Sequence, residues 1–268
     1  MKRETPTDGP DKGVEVIDLE WREFPGLLKE LSDASAADES IIKPSLFRGQ
    51  TNSEWPLQTT LERNTRIKNK ISVGMYNGAV ISIGTLMKGF VSDLPDFRDE
   101  TVDFPAPQAL KYTSLQNKEL AVFLRHHGFP SPLLDWSRSP YVAAYFAFHE
   151  ETDGVENRAI YYLQRPRTWC GEVGFELYDV GPFVAGGKRH ATQQAQYTWC
   201  SRCEGETAYF DSHQGHLKGI LKKILIKSSC RNEALADLHA MNINEFSLFG
   251  TADALVRTSL KLLEPQGF

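Results

Sequence analysis

Cysteine is scarce in this sequence, with four in 268 residues. That is too few for a disulfide scaffold, so a reducing, cytoplasmic setting is the expectation. Long apolar runs are missing too. The longest, around Tyr141–Phe148, is far too short to span a bilayer, and no membrane partner is expected. The opening stretch MKRETPTDGPDKG lacks the apolar segment of a signal peptide. Positive charge is not in excess: 30 Lys and Arg face 35 Asp and Glu, a formal net charge of −5. A basic face over the whole domain is excluded, and with it the usual footprint of non-specific nucleic-acid binding, while a local basic groove stays open. Gly (20) and Pro (14) sit near the average, which excludes collagen-like and low-complexity classes. Also absent are a Gly-rich phosphate loop, a Walker motif, H-E-x-x-H and G-x-S-x-G. Kinase, P-loop NTPase, zincin and α/β-hydrolase chemistries are therefore set aside.

What is present organises as follows. Residues 1–13, polar and punctuated by Pro6, Gly9, Pro10 and Gly13, are expected to be a flexible tail, with residues 14–268 a single domain. A strand-like start at Val14 leads into an amphipathic helix ending near Ser32, and Ala34–Glu39 forms a polar linker. Ile41–Phe47 reads as a strand that delivers Arg48 to a turn. Helices are expected over Met75–Phe90, over Gln116–His127 (stopped by Gly128), over Tyr141–His149 and over Arg231–Met241. A terminal helix, Thr251–Leu263, would turn Leu255, Val256, Leu260 and Leu263 inward. Ser139 is a natural N-cap with Pro140 at the first helical position, and the apolar helix that follows should be buried. Asp93–Pro107 reads as an acidic loop. Leu133–Trp136, Arg158–Gln164 and Ile220–Lys227 read as strands. Strands and helices mix without a βαβ rhythm, which points to an α+β fold: a mixed, mostly antiparallel sheet or sheets flanked by helices.

Four clusters could carry chemistry. In Phe47-Arg48-Gly49-Gln50 a strand-end arginine precedes a glycine, which suits a bidentate grip on an anion brought close to the backbone. Against this stands a plain salt bridge at the edge of the core. The run from Arg125 to Trp136 packs His126, His127, Asp135 and an indole into a proline-stiffened elbow. A His127–Asp135 pair could do acid–base work or lock the loop. Lys188-Arg189-His190 beside Gln193 and Gln194 is a small basic patch. Cys200, Cys203, His213 and His216 are the raw material of a zinc site, but their spacing is tighter than a finger's, and free thiols in a polar loop are the preferred reading.

Taken together, Phe47-Arg48-Gly49-Gln50, then His126-His127-Gly128 through Leu133-Leu134-Asp135-Trp136 to Ser139-Pro140 and Ala144-Tyr145-Phe146-Ala147, strongly resemble the FRG domain, a family of bacteria and phages. The resemblance continues at Arg189-x-x-x-Gln193-Gln194 and at Ile243-Asn244-Glu245-x-Ser247-Leu248-Phe249, and so covers about residues 40–262. The order of these motifs is similar to that of the ADP-ribosyltransferase fold, which implies NAD as substrate. On that mapping Arg48, with Gly49 and Gln50, clamps the anion. The Asp135–Ser139 turn shapes the pocket, Trp136 or Tyr145 stacks on nicotinamide, and Gln194 or Glu245 fills the late polar slot. The catalytic set is then Arg48, His127, Asp135, Gln194 and Glu245. The cofactor-binding set is Arg48, Gly49, Gln50, Trp136, Ser139 and Tyr145. No metal is required. The implied activity is that of a toxin or anti-phage effector acting on a nucleotide and a protein or nucleic-acid target. Two alternatives stand beside it: a non-catalytic nucleotide- or partner-sensing module, and a metal-dependent nuclease or hydrolase built on His126, His127 and Asp135.

Overall fold

The computed structural model describes residues 1–8, 11–64, 71–98, 114–166, 175–179, 187–205, 207–217 and 219–263. Its strands are β1 (Lys2–Glu4), β2 (Glu15–Leu19), β3 (Ile41–Gln50), β4 (Leu134–Ser137), β5 (Asn157–Pro166), β6 (Phe175–Asp179), β7 (Ala195–Glu204), β8 (Thr207–Phe210) and β9 (Leu221–Lys227). They form one sheet in the order β1-β2-β9-β5-β3-β4-β7-β6, with β8 also paired to β7. Every described pairing is antiparallel except β2 with β9. The fold is α+β with a mixed sheet, as the sequence implies.

The period of two along the central strands separates two layers of core. Ile160 and Tyr162 of β5 join Ile224 and Ile226 of β9 on one face, with Trp21, Phe24 and Phe148. Ala159, Tyr161 and Leu163 turn to the other face, with Leu46, Leu134 and Trp136. Helices α1 (Phe24–Ala37), α5 (Pro140–Phe148) and α8 (Arg231–Ala240) supply the first layer. A third cluster lies where α3 (Val73–Met87) and α4 (Lys118–His126) meet β7, around Tyr76, Leu120, Leu124 and Trp199. A four-residue helix, α2 (Thr60–Arg63), follows the loop after β3, and α6 (Gly187–Thr192) and α7 (His213–His216) are similarly short. The chain then runs through α9 (Glu245–Phe249) and α10 (Ala252–Leu263).

One contact fixes how α5 sits on the sheet. Its start is set as expected, with the Ser139 hydroxyl accepting the Val142 N–H at 3.3 Å and Pro140 at the first position. The helix then crosses β3 at Gly49 with no space for a side chain: a Cβ there would lie 1.8 Å from the Ala143 carbonyl oxygen and 2.6 Å from the Ala147 nitrogen. The glycine of the Phe-Arg-Gly run therefore serves helix–strand packing, and it also lines the cavity beside the crossing. The missing Cβ is a steric requirement.

Three other expectations change. Residues 1–13 are not simply a loose tail. Lys2–Glu4 pair with β2, Arg3 reaches Glu30 at 2.6 Å, and Asp11 meets the buried Lys223 ammonium at 2.6 Å. The Cys200–Cys203 segment is a strand, not a polar loop; β7 is buried continuously from Ala195 to Ser201 and so lacks the alternation of a half-exposed strand. On α10, Leu255, Val256, Leu260 and Leu263 face outward at 37–58% exposure, and Ala254 is the residue turned inward. Much of the acidic loop expected over 93–107 lies outside the described residues.

Replacing Gly49 with Ala should cost about 3 kcal/mol or more, because the methyl group meets helix backbone that cannot rotate aside. For a chain of this size that is a fall in Tm of about 6–12 °C, read by circular dichroism. An unchanged Tm would contradict the close crossing.

Candidate functional site

Next to that crossing, β3, β4, β7, α5 and the loop after β3 enclose a cavity of about 690 Å³. Four arginines line it, Arg48, Arg63, Arg125 and Arg189, against two carboxylates, Asp135 and Glu150. This concentrates positive charge inside a chain whose net charge is negative. Trp55, Phe146 and Tyr197 supply aromatic wall.

Arg48 is delivered by β3, where Phe47 pairs with Ser137 of β4. Its Nη1–H donates to the Asp135 carbonyl at 2.9 Å, while its Nε–H is buried with no acceptor. Burial pushes the guanidinium down to about 10, and the neighbouring Arg125 and Arg63 charges act in the same direction. It nonetheless stays cationic at neutral pH. Gln50 is buried and turned back to the chain, its Nε2–H donating to the Trp55 and Pro56 carbonyls at 2.8 and 3.4 Å. It thereby pins the loop that holds Trp55, 44% exposed, at the cavity wall.

Asp135 is gripped by Arg125 through two parallel bonds, Nε to Oδ1 at 2.6 Å and Nη2 to Oδ2 at 2.5 Å. The third arm of Arg125 reaches Thr60 Oγ1 at 3.1 Å, and that hydroxyl also accepts the Ser131 N–H at 2.9 Å. The proline-stiffened elbow is thus locked onto α2. Burial alone would raise the Asp135 carboxyl, but the Arg125 charge and hydrogen bonds, with Arg48 and His126 behind them, hold it below the usual carboxylate range. Its side chain keeps 43% exposure toward the cavity, so the pair is screened in part.

Of the two histidines it is His126 that lines the cavity. Its Nε2 lies 3.4 Å from the Tyr197 hydroxyl, a long contact that His190 Nδ1 makes from the other side at the same distance. Burial pushes His126 down, which favours the neutral ring at pH 7. His127 caps α4, is exposed, and packs on Phe123 with ring centroids 4.4 Å apart. It is not brought to Asp135. Trp136 is 3% exposed and donates its indole N–H to Thr198 Oγ1 at 2.8 Å, so its ring belongs chiefly to the core. Thr198 in turn meets His213 Nε2 at 3.0 Å, and burial pushes that imidazole down to about 3.

The remaining candidates stand apart from the cavity. Ser139 is an N-cap, with its own N–H donated to Ser137 Oγ at 3.0 Å. Gln194 sits at φ 49° with its carbonyl accepting the Arg138 N–H, and Gln193 takes the lining position. Tyr145 is not among the residues lining this cavity; it stacks on His149 and with Glu245 lines a second cavity of about 410 Å³. Glu245 pairs with Arg257 at 2.5 Å. Cys200 and Cys203 lie three apart on β7, one buried and one exposed, on opposite faces of the strand. His216 pairs with Asp211 instead. Among the described residues no three His, Cys, Asp or Glu side chains converge as metal ligands. Nor is any described helix long and apolar enough to cross a membrane.

Several lining residues were not among the candidates the motifs offered: Arg63, Trp55, His149, Glu150 and Tyr197, and Phe146, which lies within a motif but was given no role. Ala143, Phe146 and His149 recur every third residue on one helix face, a spacing that offered a signal for two of them.

Residues 43–156 match the family model of the FRG domain. The match contains Arg48, Arg63, Arg125, His126 and Asp135 but not Arg189, Gln193 or Tyr197. No curated protein and no solved structure matches the chain.

Substituting Asp135 with Asn leaves Arg125 without its charge partner and should destabilise the fold by about 1–2 kcal/mol at pH 7, less than a fully dry pair would lose. A carboxyl held below its unfolded value adds stability above about pH 4, and loses it as pH falls through the folded value. The deficit of the variant in urea unfolding should therefore be constant near neutrality and shrink below about pH 4. A deficit that persists unchanged in acid would contradict the pairing.

Proposed function

We propose that the FRG domain, together with the strands that complete its cavity, binds a nucleotide-sized anion and acts on NAD as an ADP-ribosyltransferase or NAD glycohydrolase. The observation behind this reading is the set of four arginines against two carboxylates in one partly enclosed space, with a buried Arg48 N–H that has no acceptor. Leaving such a donor unpaired costs about 1–3 kcal/mol, and a diphosphate oxygen would relieve it. Arg125 is committed to Asp135, so Arg48, Arg63 and Arg189 are the cations left to face a ligand. A volume of about 690 Å³ is of the size that accommodates such a molecule.

In the proposed reaction the bond between ribose C1′ and the nicotinamide nitrogen breaks with both electrons going to the ring, and neutral nicotinamide leaves. Water or a target nucleophile captures the ribosyl cation and gives up a proton. Glu150, on the cavity wall with its carboxylate 3.5 Å from His149 Nε2, is the carboxylate free to face the developing cation. His126, favoured neutral, is placed to take the proton. Asp135, neutralised by Arg125, holds geometry. An NAD-consuming activity of this kind would serve a toxin or an anti-phage effector, with a protein or nucleic acid as the target of transfer.

A second reading, binding or sensing without turnover, draws on a specific observation: Asp135 is locked, and His127, Gln194 and Glu245 stand outside the cavity. The metal-dependent reading fares worse, since His127 packs on Phe123 and Asp135 is held by Arg125.

Purified protein incubated with NAD should release nicotinamide, and Arg48→Ala should lower the rate about a hundredfold or more. Glu150→Gln should lower it while leaving the NAD-induced rise in Tm intact. A rise in Tm without product would favour the sensing reading. Neither release nor a shift would overturn both.

A further inference from the structure

The family match ends at residue 156, yet Arg189 and Gln193 line the cavity from a segment beyond it. What holds that segment is the short helix α9. Gly250 ends α9 at φ 65°, a left-handed conformation that glycine adopts freely. Ending there leaves the Leu248 carbonyl without a helical donor. Two side chains from the other segment take it: Thr192 Oγ1–H at 3.0 Å and Gln193 Nε2–H at 3.3 Å. Beside this anchor the Arg189 guanidinium lies over the Phe249 ring, 4.5 Å from its centroid. The Phe249 ring in turn meets Phe146 of α5 edge-on at 6.1 Å. Among the described residues no carboxylate pairs with Arg189, so its donors stay available while its plane is held by an aromatic face.

We infer that Arg189 is a ligand-binding cation of the cavity and that Phe249 is its positioning residue, so that the anion site is completed by the chain from Gly187 to Phe249 and not by the matched segment alone. This rests on the anion-binding reading above and adds which residues outside the match complete the site. The stack works by orientation. A guanidinium confined to one plane presents its fork to an oxyanion at lower entropic cost than one free to swing. Phe249 touches no ligand itself.

The test is a double-mutant cycle on pyrophosphate binding, measured by calorimetry with the full chain at several salt concentrations. Arg189→Ala should weaken binding about tenfold or more and flatten the salt dependence. Phe249→Ala and Phe249→Leu should each weaken it about two- to fivefold, whereas Phe249→Tyr, which keeps the aromatic face, should retain near wild-type affinity. In the Arg189→Ala background the Phe249 changes should have no further effect. If Phe249→Leu costs the same with and without Arg189, or if Phe249→Tyr is as weak as Phe249→Leu, the positioning role is wrong while the anion site stands. If the wild-type chain binds no pyrophosphate, the anion reading itself falls.

Discussion

The functional geometry depends on a steric constraint: α5 lies so close to β3 that residue 49 can carry no side chain. That approach puts the Ala143–Phe146–His149 face of the helix beside the strand end that delivers Arg48. It also places the Ser137–Ser139 turn where the Ser137 hydroxyl can donate to the Gln193 carbonyl at 2.8 Å. A wider crossing would separate the aromatic wall from the arginines and loosen the hold on the β7 side. The cavity is therefore a consequence of helix–strand packing, and its polar lining is fixed by contacts made for folding.

Electrostatics then separates the arginines into two kinds. Arg125 is spent on Asp135, a bidentate pair that locks the elbow and holds the carboxyl ionised. Arg48, Arg63 and Arg189 have no such bidentate partner among the described residues. Arg48 in particular sits where burial disfavours its charge and leaves a donor idle, a cost that a bound anion would remove. Charge of one sign gathered in a partly enclosed space is worth more than the same charge on an open face, because solvent screens it less. A net charge of −5 is compatible with anion binding when the cations converge in this way.

Much of the fold was legible in the sequence, and the exceptions share a physical cause. The Ser139–Pro140 cap, the buried helix behind it and the β5 and β9 strands follow from local rules, and Arg48 and Asp135 do line the cavity. What failed was register. In three cases the neighbouring residue lines the cavity in place of the candidate: His126 for His127, Gln193 for Gln194, and Phe146 for Tyr145. One position on a helix is a rotation of about 100°, the left-handed Gln194 turns the chain just after α6, and nothing local says which side faces a site built from distant strands. The packing role of Gly49 was hidden for a related reason, since the atoms that exclude its Cβ lie almost a hundred residues away. On α10 the apolar spacing is genuine, but its stripe points outward, which no amphipathic pattern can reveal.

The arginine cavity, on the reading proposed above, holds the diphosphate of a nucleotide. A crystal structure of the full chain soaked with NAD addresses it most directly. A diphosphate should appear there with an oxygen within about 3 Å of the unpaired Arg48 Nε and a second contact from Arg189. Density for NAD only in the cavity beside Glu245, or at neither site under saturating ligand, would contradict it.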